Sequence, residues 1–501
     1  MKKSLLFLLL CCLSLTAAAQ SRFGEKPRLV VGIVVDQMRW DYLSRYYDKF
    51  TNDGFRRLID KGFSCNNCLI NYVPTITAIG HASVYTGTTP AFHGICGNNF
   101  YINGKKTYCC ADNTVEPVGS NSEKGKMSPR NMVATTIGDQ LRLHTDFKSK
   151  VIGVSYKDRA AILPAGHSAN AAYWLDLKNR CFITSTYYMD KLPKWLQEYN
   201  KKLTKDKDFK KLGEDIGLSP RCGAIITDMA INVLQHEQLG KGDQTDMLCV
   251  SYSQTDLIGH KYGTRGQNTD EAYLELDRDL GRLLKALDSQ VGKDNYLVFL
   301  TADHGAAHNW QFMKEHKLAA GPWKSGEMKE RVYNAISNDI GEDGGYIGDI
   351  MDYRIFLDWE KIQEKGLITA NMEQHILSEL EKEPDIQFAA IYKDLANSSL
   401  PPVIKDRALM GYYPGRSGDL IFFPKPGYYE FGSWSSPTGT THGEWNPYDA
   451  HIPCLFYGWH VPQGATSRQV SITDIAPTVC QLLHIQQPDA CTGEAITEIT
   501  K

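Results

Sequence analysis

Seven side chains able to bind or activate oxygen stand just beyond short apolar, β-like runs: Asp36, Thr77, Asp256, His260, Asp303, His304 and His442. Carboxylates, imidazoles and a hydroxyl are the donors that zinc-like divalent metals take, and there are enough of them here for two sites. Two close metals suit one chemistry in particular. They clamp the attacking and leaving oxygens of an in-line phosphoryl displacement and lower the pKa of a bound hydroxyl. A further run, Val151 to Ser155, leads into Lys157 and Arg159. Cations delivered to the same place as the carboxylates point to an anionic substrate as well as to metals.

The individual signals differ in strength. Thr77, in PTITAIGH, looks like a residue at a loop-to-helix entry. There the unpaired N–H groups and the dipole favour a phosphate or a developing alkoxide, although a lone threonine in that position is more often a helix cap. Asp256 and His260 are four residues apart and face the same way if they share a helical turn; taken alone, that spacing is weak. Asp303 and His304, in TADHG, are stronger, because both leave an apolar strand where an unpaired carboxylate is costly. His442 lies in a Gly- and Thr-rich turn. His451 competes with it, but immediately precedes the strand-like run Ile452 to Tyr457 and reads as structural.

The elements that must position these groups follow from the same runs. Leu29 to Val35, Met247 to Tyr252 and Tyr296 to Leu300 are short, rich in β-branched and aromatic residues, and bounded by polar turns, so they read as buried strands. They alternate with helical patterns such as Asp270 to Leu287 and Asp474 to Leu483, where Pro477 suits a first turn. That alternation predicts an α/β fold with a mostly parallel sheet and helices on both faces. In such sheets ligands collect beyond the carboxyl ends of the strands, which is where the candidate residues fall. Two stretches interrupt the alternation, at about 160–240 and 310–425, and are expected to be inserts that cap the active edge.

The chain has 501 residues, 55 Lys and Arg against 58 Asp and Glu, and a formal net charge of −3. This balance argues against nucleic acid or a membrane surface as a dedicated partner. Residues 1–20, MKKSLLFLLLCCLSLTAAAQ, carry two lysines, a short apolar stretch and a small-residue exit, the pattern of a secretory signal peptide. The mature chain, 21–501, is therefore expected to be exported. Of the thirteen cysteines, Cys65/Cys68 and Cys109/Cys110 are candidates for disulfides in an oxidising compartment, whereas Cys249 and Cys454 sit within apolar runs and read as buried thiols.

The motifs VVDQMRWDYL, PTITAIGHASVYTGTTPAFHGICGN, SYKDRAAILPAGH, STYYMDKLPKW, TDLIGHKYG, YLVFLTADHGAAH, THGEWNPYDAHIP and TDIAPTV together resemble the alkaline phosphatase superfamily, specifically its PafA-type alkaline phosphatases. They occur in the family's order and cover nearly the whole mature chain. The resemblance implies a three-layer sandwich around a mostly parallel sheet, with cap inserts, and a hydrolase of small phosphate monoesters; with the signal peptide, that places the enzyme in the periplasm or outside the cell as an expectation. It also implies two zinc ions, one held by Asp36, Thr77, Asp303 and His304 and the other by Asp256, His260 and His442. Thr77 would be the nucleophile, giving a covalent phosphothreonine. Asn98, Lys157 and Arg159 match the residues that contact the non-bridging phosphoryl oxygens in similar enzymes. Glu444, beside His442, receives no role from the resemblance. Between STYYMDKLPKW and Thr255 the chain looks shorter than its relatives, which leaves the substrate rim open.

Three rival readings differ in sequence features. A phosphodiesterase or nucleotide pyrophosphatase would share the metal motifs but, as a family, lacks the Lys-x-Arg pair. A sulfatase would carry a C/S-x-P-x-R nucleophile motif, absent at the Thr77 loop. A binding protein on a dead hydrolase scaffold would be expected to have lost ligands, and every matched ligand is present.

Overall fold

The computed structural model describes residues 26–340, 346–432 and 435–500; the expected signal peptide lies outside the described residues. The strands that organise the site are β1 (Leu29–Val35), β2 (Val151–Ser155), β3 (Asp246–Tyr252), β4 (Tyr296–Thr301) and β5 (Cys454–Gly458). Every residue of the first four is buried, as the unbroken apolar runs require of strands covered on both faces. They lie side by side in the order β4-β1-β3-β2 and all pair parallel, while β5 adds antiparallel to β4. Val35 stands opposite Tyr252, Val34 opposite Thr301, and Ser251 opposite Ser155. The carboxyl ends of the four parallel strands are therefore level, and whatever follows them is delivered to one edge.

The helices that carry site residues are α1 (Thr77–Thr86), α2 (Asp158–Ala165) and α3 (Gln254–Tyr262), followed by the long α4 (Gln267–Gln290). Gly32, Cys249 and Gly153 form one row across the sheet, and the small side chains in that row let α1 and α2 approach closely. A Cβ on Gly32 would lie 2.3 Å from the Tyr85 hydroxyl, and one on Gly153 would lie 2.1 Å from the Ala161 carbonyl. The opposite face is covered by Pro220–His236, whose Thr227 pairs with the Tyr252 hydroxyl at 2.9 Å, and by α4, which packs on that helix. This is the α/β fold that the sequence predicts, its central strands parallel and the whole sheet mixed through antiparallel strands toward both edges.

Within 160–240, expected as a cap insert, two strands extend the central sheet. Ala171–Asp176 pairs parallel with β2, and Cys181–Ser185 pairs antiparallel with Ala171–Asp176. Their polar, Lys-rich flanks obscured two strands whose residues are all buried. Within 310–425 a separate antiparallel sheet forms from Ile347–Met351, Arg354–Leu357, Ile386–Ile391 and Leu420–Pro424, with its own core of Trp323, Met328, Ile355, Ile376 and Phe422. Its fully buried Arg354 donates to the Cys96 carbonyl at 2.7 Å, and Arg416 donates to the Gly94 carbonyl at 2.7 Å. The small sheet is thus fastened to the loop that leads into Asn98.

The expected disulfides are not formed. The eleven cysteines among the described residues are free thiols. Cys109 and Cys110 hold their sulfurs 4.0 Å apart, about twice a bonded separation, and Cys65 and Cys68 belong to strands of different sheets. Cys249 and Cys454 are buried thiols, as expected. No helix among the described residues is long and apolar enough to cross a membrane.

Candidate active site

The seven candidate ligands converge at the level edge. Asp36 follows β1 directly, Asp303 and His304 follow β4, and Asp256 and His260 share the single turn of α3 that their spacing required. His442 arrives from the turn before β5. Two groups form, Asp36 with Asp303 and His304, and Asp256 with His260 and His442; within each, the ligand atoms lie within 4.8 Å of one another. The groups adjoin, because the His304 and His442 rings stack at 3.5 Å between centroids.

Backbone carbonyls fix the histidine tautomers. His304 Nδ1 lies 3.0 Å from the Gly305 carbonyl, His442 Nδ1 2.7 Å from that of Thr75, and His260 Nδ1 2.9 Å from that of Thr440. A carbonyl only accepts, so each Nδ1 carries a proton, and Nε2 is the nitrogen left facing the carboxylates, the one a metal would take. This is the arrangement that prepares histidine to bind a metal. Asp36 Oδ1 and Asp303 Oδ2, both fully buried, accept no hydrogen bond, an arrangement that costs free energy unless a cation meets them. Burial, then Asp256 and Asp303, push the Asp36 carboxyl well above the usual range. At Asp256 burial acts upward, but His260 and Lys157 outweigh it and hold the carboxyl well down. The donors, their tautomers and the two orphaned oxygens all fit divalent metals.

Thr77 opens α1 with its Oγ1 3.4 Å from His304 Nε2. Ile76, in extended conformation, caps the helix without a side-chain bond, so the threonine is the first helical residue and not the cap. Asn98 Oδ1 accepts from the Ala78 N–H at 3.2 Å, which turns the asparagine's NH2 end away from that bond. Lys157 Nζ reaches both groups, 2.6 Å from Asp36 Oδ2 and 2.7 Å from Asp256 Oδ2. Arg159 is the second residue of α2 and donates from Nη1 to the Tyr108 hydroxyl at 3.1 Å. His451 is elsewhere, stacked on Trp40 and bonded to the Asn66 carbonyl.

Several supporting residues were not singled out by their sequence. Gln37, at φ +65°, donates from its main chain to Asp303 and from its side chain to Asp256, at 3.1 and 2.7 Å, so it ties the two ligand groups together. His81 lies 3.2 Å from Asp303 Oδ2 and 2.9 Å from the Thr77 carbonyl; its place four residues after Thr77 on one helix was the available signal. Glu444 and Asp449 form a buried carboxyl pair behind the His442 turn, where the Glu444 N–H donates to Asp449 at 2.8 Å and Tyr448 and Asn446 donate to Glu444.

A family model described as type I phosphodiesterase / nucleotide pyrophosphatase matches residues 30–447. The alkaline phosphatase PafA of Elizabethkingia meningoseptica is 41% identical over 96% of both chains, and the alkaline phosphatase PhoV of Synechococcus elongatus is 38% identical over 95% of this chain and 93% of its own. A Myroides odoratus protein named as a calcium-transporting ATPase is 40% identical over 99% of both. The crystal structure of PafA superposes with a TM-score of 0.90, covering 95% of this chain and 99% of that one. With level strand ends, two ligand groups and full-length similarity to alkaline phosphatases, this chain is a phosphatase that belongs to the type I phosphodiesterase / nucleotide pyrophosphatase family, in its PafA-type alkaline phosphatase branch.

Proposed function

We propose that the enzyme hydrolyses phosphate monoesters to an alcohol and inorganic phosphate at a two-zinc site, through a covalent phosphothreonine on Thr77. The observation that carries the reading is the position of the Thr77 hydroxyl. It sits at a helix start, 3.4 Å from His304 Nε2, with Lys157, Asn98 and Arg159 arriving from other segments. Asp36, Thr77, Asp303 and His304 would hold one zinc, and Asp256, His260 and His442 the other. When bound, the metals supply positive charge that lowers the pKa of the attacking hydroxyl and of water and stabilises the departing oxygen.

The protein's own part is positioning and charge. Thr77 attacks phosphorus, the alcohol departs, and water then cleaves the phosphothreonine. The N-terminus of α1 favours the anion at its end. Asn98, Lys157 and Arg159 are donors for the non-bridging oxygens, where charge must be balanced for transfer to proceed. Burial acts against the Lys157 charge, but Asp256 and Asp36 outweigh it and keep the ammonium protonated. A monoester dianion has one more charged oxygen than a diester, and the Lys157/Arg159 pair answers it. The substrates would be small molecules met outside the cytoplasm, in the periplasm or beyond the cell after loss of residues 1–20, and the insert at about 310–425 would act as a cap over the Asn98 loop.

The alternative is diester or pyrophosphate hydrolysis at the same metals, favoured by the description of the matched family. Side-by-side kcat/KM of the zinc-loaded protein on p-nitrophenyl phosphate and bis-p-nitrophenyl phosphate at alkaline pH separates the two. A strong monoester preference is expected; a diester preference moves the enzyme to the other branch. Thr77→Ala is expected to abolish the phosphoenzyme while leaving zinc content largely intact, and normal turnover in that variant would remove the nucleophile from Thr77.

A further inference from the structure

Arg159 is held from one side only. Its guanidinium donates from Nη1 to the Tyr108 hydroxyl, 3.1 Å away, and this is its single side-chain hydrogen bond among the described residues. Nε is buried without a partner. The Tyr108 hydroxyl in turn donates to Asp158 Oδ1, and the same carboxylate oxygen accepts from the Arg159 main-chain N–H. A phenol has a single proton to give. With that proton committed to Asp158, the oxygen presents only lone pairs to the guanidinium, so the order Asp158, Tyr108, Arg159 is fixed in direction. Burial and the Asp158 carboxylate push the phenol far above its ordinary value, and it remains a phenol through the alkaline range.

Tyr108 does not belong to α2. It ends the second strand of a hairpin, Lys105–Tyr108, paired with Asn99–Ile102 so that Tyr108 stands opposite Asn99. The next residue, Cys109, donates its N–H to the Asn98 carbonyl at 2.9 Å. Asn131 holds the end of this strand through the carbonyls of Tyr108, Cys109 and Ala111. The hairpin therefore braces both Asn98 and Arg159, which otherwise reach the site from separate segments.

We infer that Tyr108, through its hydroxyl bridge from Asp158 to Arg159, is a positioning residue that aims the guanidinium at the substrate phosphoryl group and so helps set the preference for monoesters over diesters. The inference rests on the proposed role of Arg159. A long, mobile side chain held at one nitrogen keeps its others free for a phosphate oxygen, and pre-setting its direction removes an ordering cost from the transition state.

The test is a double-mutant cycle with the zinc-loaded protein, reading kcat/KM on p-nitrophenyl phosphate and on bis-p-nitrophenyl phosphate. Tyr108→Phe is expected to lower the monoester value by about tenfold or more, the scale typical of losing a group that orients a site residue, and the diester value by less than about twofold, with unchanged zinc content. In an Arg159→Ala background the same change is expected to have almost no further effect. Equal losses on the two substrates, or losses that multiply in the double variant, would overturn the inference. Should Tyr108→Phe prove unstable, Asp158→Asn reads the same bridge and must show the same cancellation. If Arg159→Ala leaves the monoester to diester ratio intact, the role of Arg159 falls and the inference with it; if Arg159→Ala collapses the ratio and Tyr108→Phe does not, the positioning role alone is lost.

Discussion

At the scale of single residues, two buried groups carry separable consequences. Lys157 lies within 2.7 Å of a carboxylate from each ligand group, but its proposed task is to meet the phosphoryl oxygens. Lys157→Ala is expected to retain zinc, to lose about 10²-fold or more in monoester kcat/KM, and to lose far less on a diester; equal losses would make the lysine a part of the metal framework only. The second group is the Glu444 and Asp449 pair. Burial pushes the Asp449 carboxyl up to about 8 and drives Glu444 well above its usual range, where Asp449 adds to the effect. A folded-state value above the unfolded one means that, between about pH 4 and 8, the folded chain keeps a proton that the unfolded chain releases. Stability contributed this way is complete at the acid end and lost as pH rises through the window, by up to about 1.4 kcal/mol per pH unit for one proton. Denaturation midpoints of the chelated protein at pH 5.5 and pH 8 should therefore fall with pH, and Asp449→Asn should flatten the difference. An unchanged slope in Asp449→Asn would show that the pair holds no such proton.

At the scale of elements, the site depends on how closely α1 lies against the end of β4. A Cβ at Gly80 would come within 2.3 Å of the Asp303 carbonyl and 2.5 Å of the Asp303 Cβ, and neither can move without shifting a ligand. Gly80→Ala is expected to cost about 1–3 kcal/mol of stability and, by separating Thr77 from Asp303, to lower both zinc occupancy and kcat. Gly326→Ala, where nothing lies within 4 Å, is the matched control and should leave activity alone; normal zinc binding in Gly80→Ala would mean that the helix and strand can part without harm. The same elements explain how much could be read from sequence. Asp36, Asp303 and His304 were legible because they follow fully buried runs, and Asp256 and His260 because four residues span one helical turn. The Gly80 contact, the Gln37 bridge and the Tyr108 bridge were not, since each joins segments far apart in the chain and is set by packing, not by local pattern. The two strands Ala171–Asp176 and Cys181–Ser185 were missed for another reason: the Lys-rich helices that follow them dominate the composition of that stretch.

At the scale of the molecule, the two groups of candidate ligands would tie the fold together once metals are bound. Asp36, Asp303 and His304 join the ends of β1 and β4, while Asp256, His260 and His442 join α3 to the turn before β5. The unfolded chain cannot assemble these sets, so metal binding is linked to folding. Lys157 is near all three carboxylates, Asp36, Asp256 and Asp303, and histidines stand beside the last two; without a metal, burial and the neighbouring carboxylates push the Asp36 carboxyl up, a cost that a bound cation relieves. A ligand present at a thousand times its Kd stabilises the folded state by about 4 kcal/mol per site. For a chain of this length, with an unfolding entropy near 1 kcal/mol per degree by the usual per-residue value, that is a shift in Tm of about 4 °C for each metal. Chelation followed by a thermal scan should therefore lower Tm by about 8 °C, with recovery on adding zinc, and in Asp256→Asn the recoverable part should shrink to about half. A chelated protein that melts at the same temperature as the zinc-loaded one would mean that the level strand edge is held by packing alone, and that the ligand groups are pre-set by the sheet before any metal arrives.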